Sequence, residues 1–118
     1  MKSIVINIFN IVGSSFCVEA NDGEKVYELI KQAINNDKKI TLSFKNVEML
    51  TSAFLNIAVG QLYKDFDEEL IKKSLSVKDM LPEDKILLKR VTTTAKRFYK
   101  NPNRMIESIN EILGEYNE

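Results

Sequence analysis

The stretch from Lys39 to Tyr63, KITLSFKNVEMLTSAFLNIAVGQLY, constrains the fold more than any other part of the chain. Ile40, Leu42 and Phe44 alternate with Thr41 and Ser43 at the two-residue period of a strand, which predicts a buried strand over 39–44. Lys45 and Asn46 end it, and Val47, Met49 and Leu50 form an apolar loop. Thr51 or Ser52 then stands where a helix N-cap belongs, with a side-chain oxygen able to accept from the unpaired amides of the first turn. The helix expected over 51–65 carries Phe54, Leu55, Ile57, Ala58, Val59, Leu62 and Tyr63. So little polar face remains that the helix must be central rather than draped over the surface.

The flanking chain supplies the partners for that unit. Residues 3–9 read as a first strand, Gly13-Ser14-Ser15 as a turn and Phe16-Cys17-Val18 as a short second strand. Asn21 followed by Glu24 resembles a capping box, opening a helix over 22–36 whose Val26, Leu29, Ile30, Ala33 and Ile34 share one face. The acidic segment Asp65 to Glu69 reads as loop, and Leu75 and Val77, alternating with Ser74 and Ser76, as a strand within 70–77. Pro82, Glu83 and Asp84 suit the first turn of a long helix over 82–100, with Leu87, Leu88, Val91, Ala95, Phe98 and Tyr99 as its buried stripe. Asn101-Pro102 breaks that helix, and a final helix over 103–116 is expected, with Met105, Ile106, Ile109, Ile112, Leu113 and Tyr116 on one face. Strands alternating with helices predict an α/β domain spanning 1–118, with a mixed or largely parallel sheet of about four strands and a C-terminal helical extension at 103–118.

Composition narrows the chemistry. Histidine is absent, which removes the commonest general base and the commonest metal ligand together. An enzyme is therefore not expected, nor a cofactor. Asp65, Asp67, Glu68 and Glu69 lack the glycine and the spacing of a calcium loop, so they are not read as a metal site. The single Cys17 has no partner for an internal disulfide, which suits a reducing cytoplasm. With no CxxC neighbour and no histidine to activate it, Cys17 reads as a small core or edge residue rather than a reactive thiol. In the N-terminal apolar run, Asn7 and Asn10 interrupt the pattern and bulky Phe16 precedes the cysteine, so a strand is expected there rather than a secretory signal. No stretch approaches the length of a membrane span. Seventeen basic residues balance seventeen acidic ones, so the net charge creates no field favouring nucleic acid or an anionic membrane. One local patch stands apart: Lys85, Lys89, Arg90, Lys96, Arg97, Lys100 and Arg104 fall in a stretch without an acid. A solvated face, partly neutralised by Glu107, Glu111 and Glu115, is the main expectation; an anionic partner such as nucleic acid is the alternative.

The element order, with LSFKNVEMLTSAFLNIAVGQLY at its centre, resembles the STAS domain of sulphate-transporter tails and anti-sigma-factor antagonists. More closely it resembles the bacterial STAS-like domain family of unknown function, in which a strand, a loop of small hydroxyl residues and a phenylalanine opening a helix follow one another. Here these are Leu42-Ser43-Phe44, Thr51-Ser52-Ala53 and Phe54, with Gly60 further along. In anti-sigma-factor antagonists the loop reads Asp-Ser-Ser-Gly, and an ATPase-fold kinase that is also the partner phosphorylates a serine in it. Laid over this chain, the acid falls on Thr51, the phosphorylated serine on Ser52, the next serine on Ala53 and the glycine on Phe54. Of that motif only the serine is kept, so the resemblance implies a docking role for the loop more strongly than its phosphorylation. The expectation is a regulatory interaction domain that binds a protein, such as an ATPase-fold switch kinase, through 47–56. Thr51, Ser52, Asn46 and Glu48 are its candidate contacts, and Lys85, Lys89, Lys96, Arg97 and Lys100 are those of the nucleic-acid alternative.

Overall fold

The computed structural model describes residues 2–100; the expected Asn101-Pro102 break and the helix at 103–116 lie outside the described residues. Strand β1 (Ser3–Asn7), β3 (Lys39–Ser43) and β5 (Leu75–Lys78) form a parallel sheet in the order β1-β3-β5, so the Lys39 strand is the interior one, as expected. The register places Ile4 beside Ile40 and Ile6 beside Leu42, with Leu75 and Val77 completing the same rows. These residues make the apolar side of the sheet, and Ile40 and Leu42 are buried at its centre. The alternate positions Val5, Thr41 and Ser76 line the other side, where the hydroxyls of Thr41 and Ser76 lie 3.1 Å apart. A separate ladder pairs β2 (Phe16–Cys17) with β4 (Met49–Leu50), also parallel. Among the described residues the sheet therefore has three strands, with a separate two-residue pair, in place of about four strands in one sheet.

Several sequence expectations shift by one element. The first strand stops at Asn7, because the Asn7 side chain turns the chain by accepting from the Asn10 amide at 3.1 Å. That cap opens α1 (Ile8–Val12), and Gly13, at φ 78°, closes it in the left-handed conformation that glycine adopts without strain. No capping box forms at Asn21: α2 (Ala20–Asn35) begins earlier, Asn21 lies inside it, and Glu19 at its N-cap makes no side-chain bond. Of the acidic segment only Phe66 and Asp67 are loop, and the rest is helical. Glu68 and Glu69 occupy the first turn of α5 (Glu68–Ser74) and Lys72 and Lys73 its last turn, the arrangement that complements the helix dipole, and the strand is left with Leu75–Lys78 alone.

The central helix is α3 (Ser52–Leu55), a π turn (Asn56–Gly60) and α4 (Leu62–Asp65). Phe54, Ala58 and Leu62 recur every fourth residue, which on an ideal α-helix drifts by roughly 40° per turn. The wider π turn, closed by the Gln61 amide donating to the Asn56 carbonyl at 3.0 Å, absorbs that drift, and all three side chains are fully buried. Helix α2 crosses this segment at Gly23, where a Cβ would stand 2.7 Å from the Phe54 carbonyl oxygen and 3.0 Å from Ile57 Cβ. Helix α6 (Pro82–Lys100) crosses at Gly60 with its buried Val91 and Ala95. Phe98, expected in the buried stripe of α6, is 44% exposed, and Ile86 is more exposed still. Among the described residues no helix is long and apolar enough to cross a membrane.

Candidate functional site

Thr51 and Ser52 divide the roles that the sequence left open between them. Thr51 is the N-cap: its Oγ1 accepts from the Phe54 amide at 3.2 Å and donates to the Val18 carbonyl at 2.9 Å. One hydroxyl thus caps the central helix and ties it to the chain entering α2. Ser52 follows as the first helical residue, exposed, and no hydrogen bond from its hydroxyl is seen among the described residues. The loop before them is held from the other side. The amides of Glu48 and Met49 donate to the Ser15 carbonyl at 2.9 and 3.2 Å, the Ser15 hydroxyl donates to the Glu48 carboxylate at 3.2 Å, and the Thr51 amide donates to the Cys17 carbonyl at 3.3 Å.

Asn46 has a geometric role. At φ 68° it takes the left-handed conformation that asparagine tolerates, and the turn closes where the Val47 amide donates to the Phe44 carbonyl at 3.1 Å. Nearby, buried Ser43 donates to the Asp79 carboxylate at 3.1 Å, and the Phe44 amide donates to the Lys78 carbonyl at 3.1 Å, joining this loop to the end of β5.

The feature absent from the sequence reading is apolar. Phe16 and Met49 are direct partners in the two-residue ladder, and they are 51% and 53% exposed, whereas the next pair, Cys17 and Leu50, turns inward. Two large apolar side chains therefore stand side by side on the outer surface, three residues before Ser52. The available signal was the alternation of Phe16 with Cys17 and Met49 with Leu50. Beneath them Cys17 is fully buried, and burial, with a smaller contribution from Asp22, pushes its thiol up to about 11. It is thus a protonated core residue at neutral pH, as expected.

The basic candidates do not act as one patch. Lys96 pairs with Glu68 at 3.0 Å and lies over the Tyr63 ring, and Lys100 reaches the other oxygen of the same carboxylate at 3.3 Å. Hydrogen bonds from Lys96 and then Lys100 hold the Glu68 carboxyl below its ordinary range, and the Glu68 bond raises Lys96 above its own. Glu68 on α5 thus neutralises two of the five lysines and arginines singled out, while Lys85, Lys89 and Arg97 remain exposed on α6. Elsewhere Tyr27 donates to the Asp65 carboxylate, with Lys31 3.9 Å from the same group and over the Tyr27 ring, which fastens α2 to the end of α4. Burial first, and then this bond to an anion, raise the Tyr27 hydroxyl well above the usual tyrosine range. Among the described residues no group of His, Cys, Asp and Glu side chains is arranged to hold a metal.

Neither a curated protein nor a solved structure matches the chain. A family model does: it is described as a STAS-like domain of unknown function and matches residues 22–85, more than half of the 118. The matched part runs from α2 through the central strand, the Thr51-Ser52 loop, the interrupted helix and β5 to the start of α6. By that match, and with the parallel β1-β3-β5 sheet and the helix opened by Thr51, the chain belongs to the STAS-like domain family of unknown function.

Proposed function

We propose that this STAS-like domain is a non-enzymatic regulatory module that docks a protein partner on the surface formed by Phe16, Met49 and Ser52. The observation that carries the reading is the half-exposed Phe16–Met49 pair immediately before an exposed serine at the start of the central helix. Paired apolar side chains on a backbone fixed by hydrogen bonds from two segments offer contact area at little ordering cost. An ATPase-fold switch kinase is the partner class proposed, on the likeness of the loop to that of anti-sigma-factor antagonists, and the lone buried cysteine favours action in the cytoplasm. The nucleic-acid reading has less support, because Lys96 and Lys100 are already paired with Glu68.

The test compares the tagged wild type with Ser52→Ala, Ser52→Asp and the Phe16→Ser/Met49→Ser double variant, for thermal midpoint and for the partner retained from the native lysate. An anion at the helix start is favoured by roughly 0.3–1 kcal/mol, so Ser52→Asp folds as well as wild type. In a desolvated interface without a counter-ion the same charge weakens association by roughly several kcal/mol. Capture is expected to persist in Ser52→Ala and to fail in Ser52→Asp and in the double variant. A folded Ser52→Asp protein that retains the partner as well as wild type overturns the assignment of this surface.

A further inference from the structure

We propose that the outer edge of β1 pairs with the β1 edge of a second copy of this chain, antiparallel and with Val5 opposite Val5, joining two three-stranded sheets into one. Strand β1 stands at the end of the order β1-β3-β5, and among the described residues no strand pairs with its outer side. The Lys39 amide donates to the Lys2 carbonyl at 2.8 Å, which sets the phase of the ladder between β1 and β3. Backbone groups alternate in direction along a strand, so those of Ile4 and Ile6 turn towards β3 and those of Ser3 and Val5 turn outward. Edge strands are ordinarily guarded against pairing by a charge, a proline or a bulge. Strand Ser3–Asn7 contains neither a charge nor a proline and keeps continuous register with β3.

Self-complementarity selects a second copy as the occupant. With Val5 opposite Val5, each Val5 amide donates to the Val5 carbonyl of the other copy, and each Asn7 amide reaches the other copy's Ser3 carbonyl. Side chains then meet like with like on both sides of the sheet. Val5, 59% exposed on the open side, is covered by its own counterpart, and Ser3 faces Asn7. On the apolar side Ile4 meets Ile6 of the second copy. A cleft of about 170 Å³ lies there, lined by Ile4 and Ile6 from β1, by Leu29, Gln32 and Ala33 from α2, and by no residue of β3, so it flanks the outer side of β1. Leu29 on its wall is 36% exposed, and the second copy brings its own Ile6 to that cleft. A register shifted by two residues sets Val5 against Ser3 or Asn7 and leaves the apolar pair unmatched. Seventeen basic residues cancel seventeen acidic ones, so no net charge opposes the meeting of two copies. A seam of five residues a side is smaller than a permanent interface, so the dimer is reversible, with a dissociation constant on the order of 10–100 μM. The inference does not depend on the docking role proposed for Ser52.

The experiment uses the full-length chain. Sedimentation equilibrium up to about 1 mM protein reads its mass, and a mixture of two differently labelled chains reads nuclear Overhauser contacts between copies. The expected result is a reversible monomer–dimer equilibrium, with a contact between Ile4 Hα of one copy and Ile6 Hα of the other. Those two residues form the closely spaced pair that exchanges no hydrogen bonds, so the contact reports this register alone. Val5→Lys sets two ammonium groups opposite each other and weakens dimerisation roughly tenfold, with partial recovery in salt of about 1 M. Ser76→Lys, exposed on the same side of the sheet but at the β5 edge, leaves dimerisation unchanged. A chain that stays monomeric throughout the range, or a dimer without the Ile4–Ile6 contact, overturns the proposal. So does a Val5→Lys protein that associates as well as wild type, or a loss as large in Ser76→Lys, which would give the interface to β5. The contact measurement on the wild type needs no variant, so it decides even where a substituted chain fails to fold.

Discussion

Replacing Gly23 with alanine sets two physical effects of opposite sign against each other. In a helix interior this change ordinarily stabilises, by about 1 kcal/mol, because alanine loses less backbone freedom on folding. Gly23 lies in the first half of α2 where it crosses the central helix, and the added Cβ would stand 2.7 Å from the Phe54 carbonyl oxygen. The obstacle is backbone, and no side-chain rotation relieves it; Ile57 Cβ at 3.0 Å blocks the adjacent direction. The two helices must separate by several tenths of an ångström along a contact that includes fully buried Val26, Phe54 and Ala58. Overpacking of this kind costs roughly 1–3 kcal/mol, and more where backbone is the obstacle, so the net loss after the helical gain is roughly 1–2 kcal/mol. For a chain of this size that lowers the thermal midpoint by roughly 4–8 °C. Urea unfolding followed by far-ultraviolet circular dichroism reads the change, with Glu28→Ala on the exposed face of the same helix as control. A Gly23→Ala protein as stable as wild type, or more stable, would show that the helices do not approach closely there and that the crossing is misjudged.

Thr51→Ala removes the helix cap and the bond to the Val18 carbonyl together, and is expected to cost roughly 1–2 kcal/mol in denaturant midpoint, while Thr51→Ser retains most of the stability. Cys17 is expected to resist thiol reagents in the folded protein at pH 8 and to react fully in urea; its folded pKa, raised from 9.0 to about 11, means that its contribution to stability is intact below about pH 9 and is lost as pH rises towards 11. Because Glu68 holds Lys96 and Lys100, salt-sensitive retention of DNA or RNA at micromolar protein is not expected; retention abolished by Lys89→Glu with Lys96→Glu would promote the nucleic-acid reading.

What could be read from the sequence was what burial writes into periodicity. The interior strand at Lys39–Ser43, the apolar face of α2 and the start of α6 each repeat at two or about 3.6 residues over enough length to be distinctive. Helix α1 was hidden because Ile8, Ile11 and Val12 continue the apolar run of β1, and only Asn7 and Gly13 mark its ends. Helix α5 was too short for its period to register, although acids at its start and lysines at its end were visible. The site was half legible. A hydroxyl pair before an apolar helix identified Thr51 and Ser52, but separating cap from exposed serine needed the position of the Val18 carbonyl. The Phe16–Met49 pair and the clasp of Glu68 on two lysines join residues far apart in the chain, so no local pattern records them.

The π turn also fixes the rotational phase of Ser52. Phe54 and Leu55 before it, and Leu62 after it, all point into one core because the residues between them turn through less than the same number of α-helical residues would. Forcing the segment into a regular α-helix with every residue kept would swing its first turn by roughly 80° relative to its last, because Phe54 and Leu62 are eight residues apart, and Phe54 would leave the core. A relative with one residue fewer between those positions would keep the same phase without a π turn, since seven residues return to within roughly 20° of the starting face. The side of the molecule on which the serine emerges is therefore held by the place where a single surplus residue is stored, a turn further along.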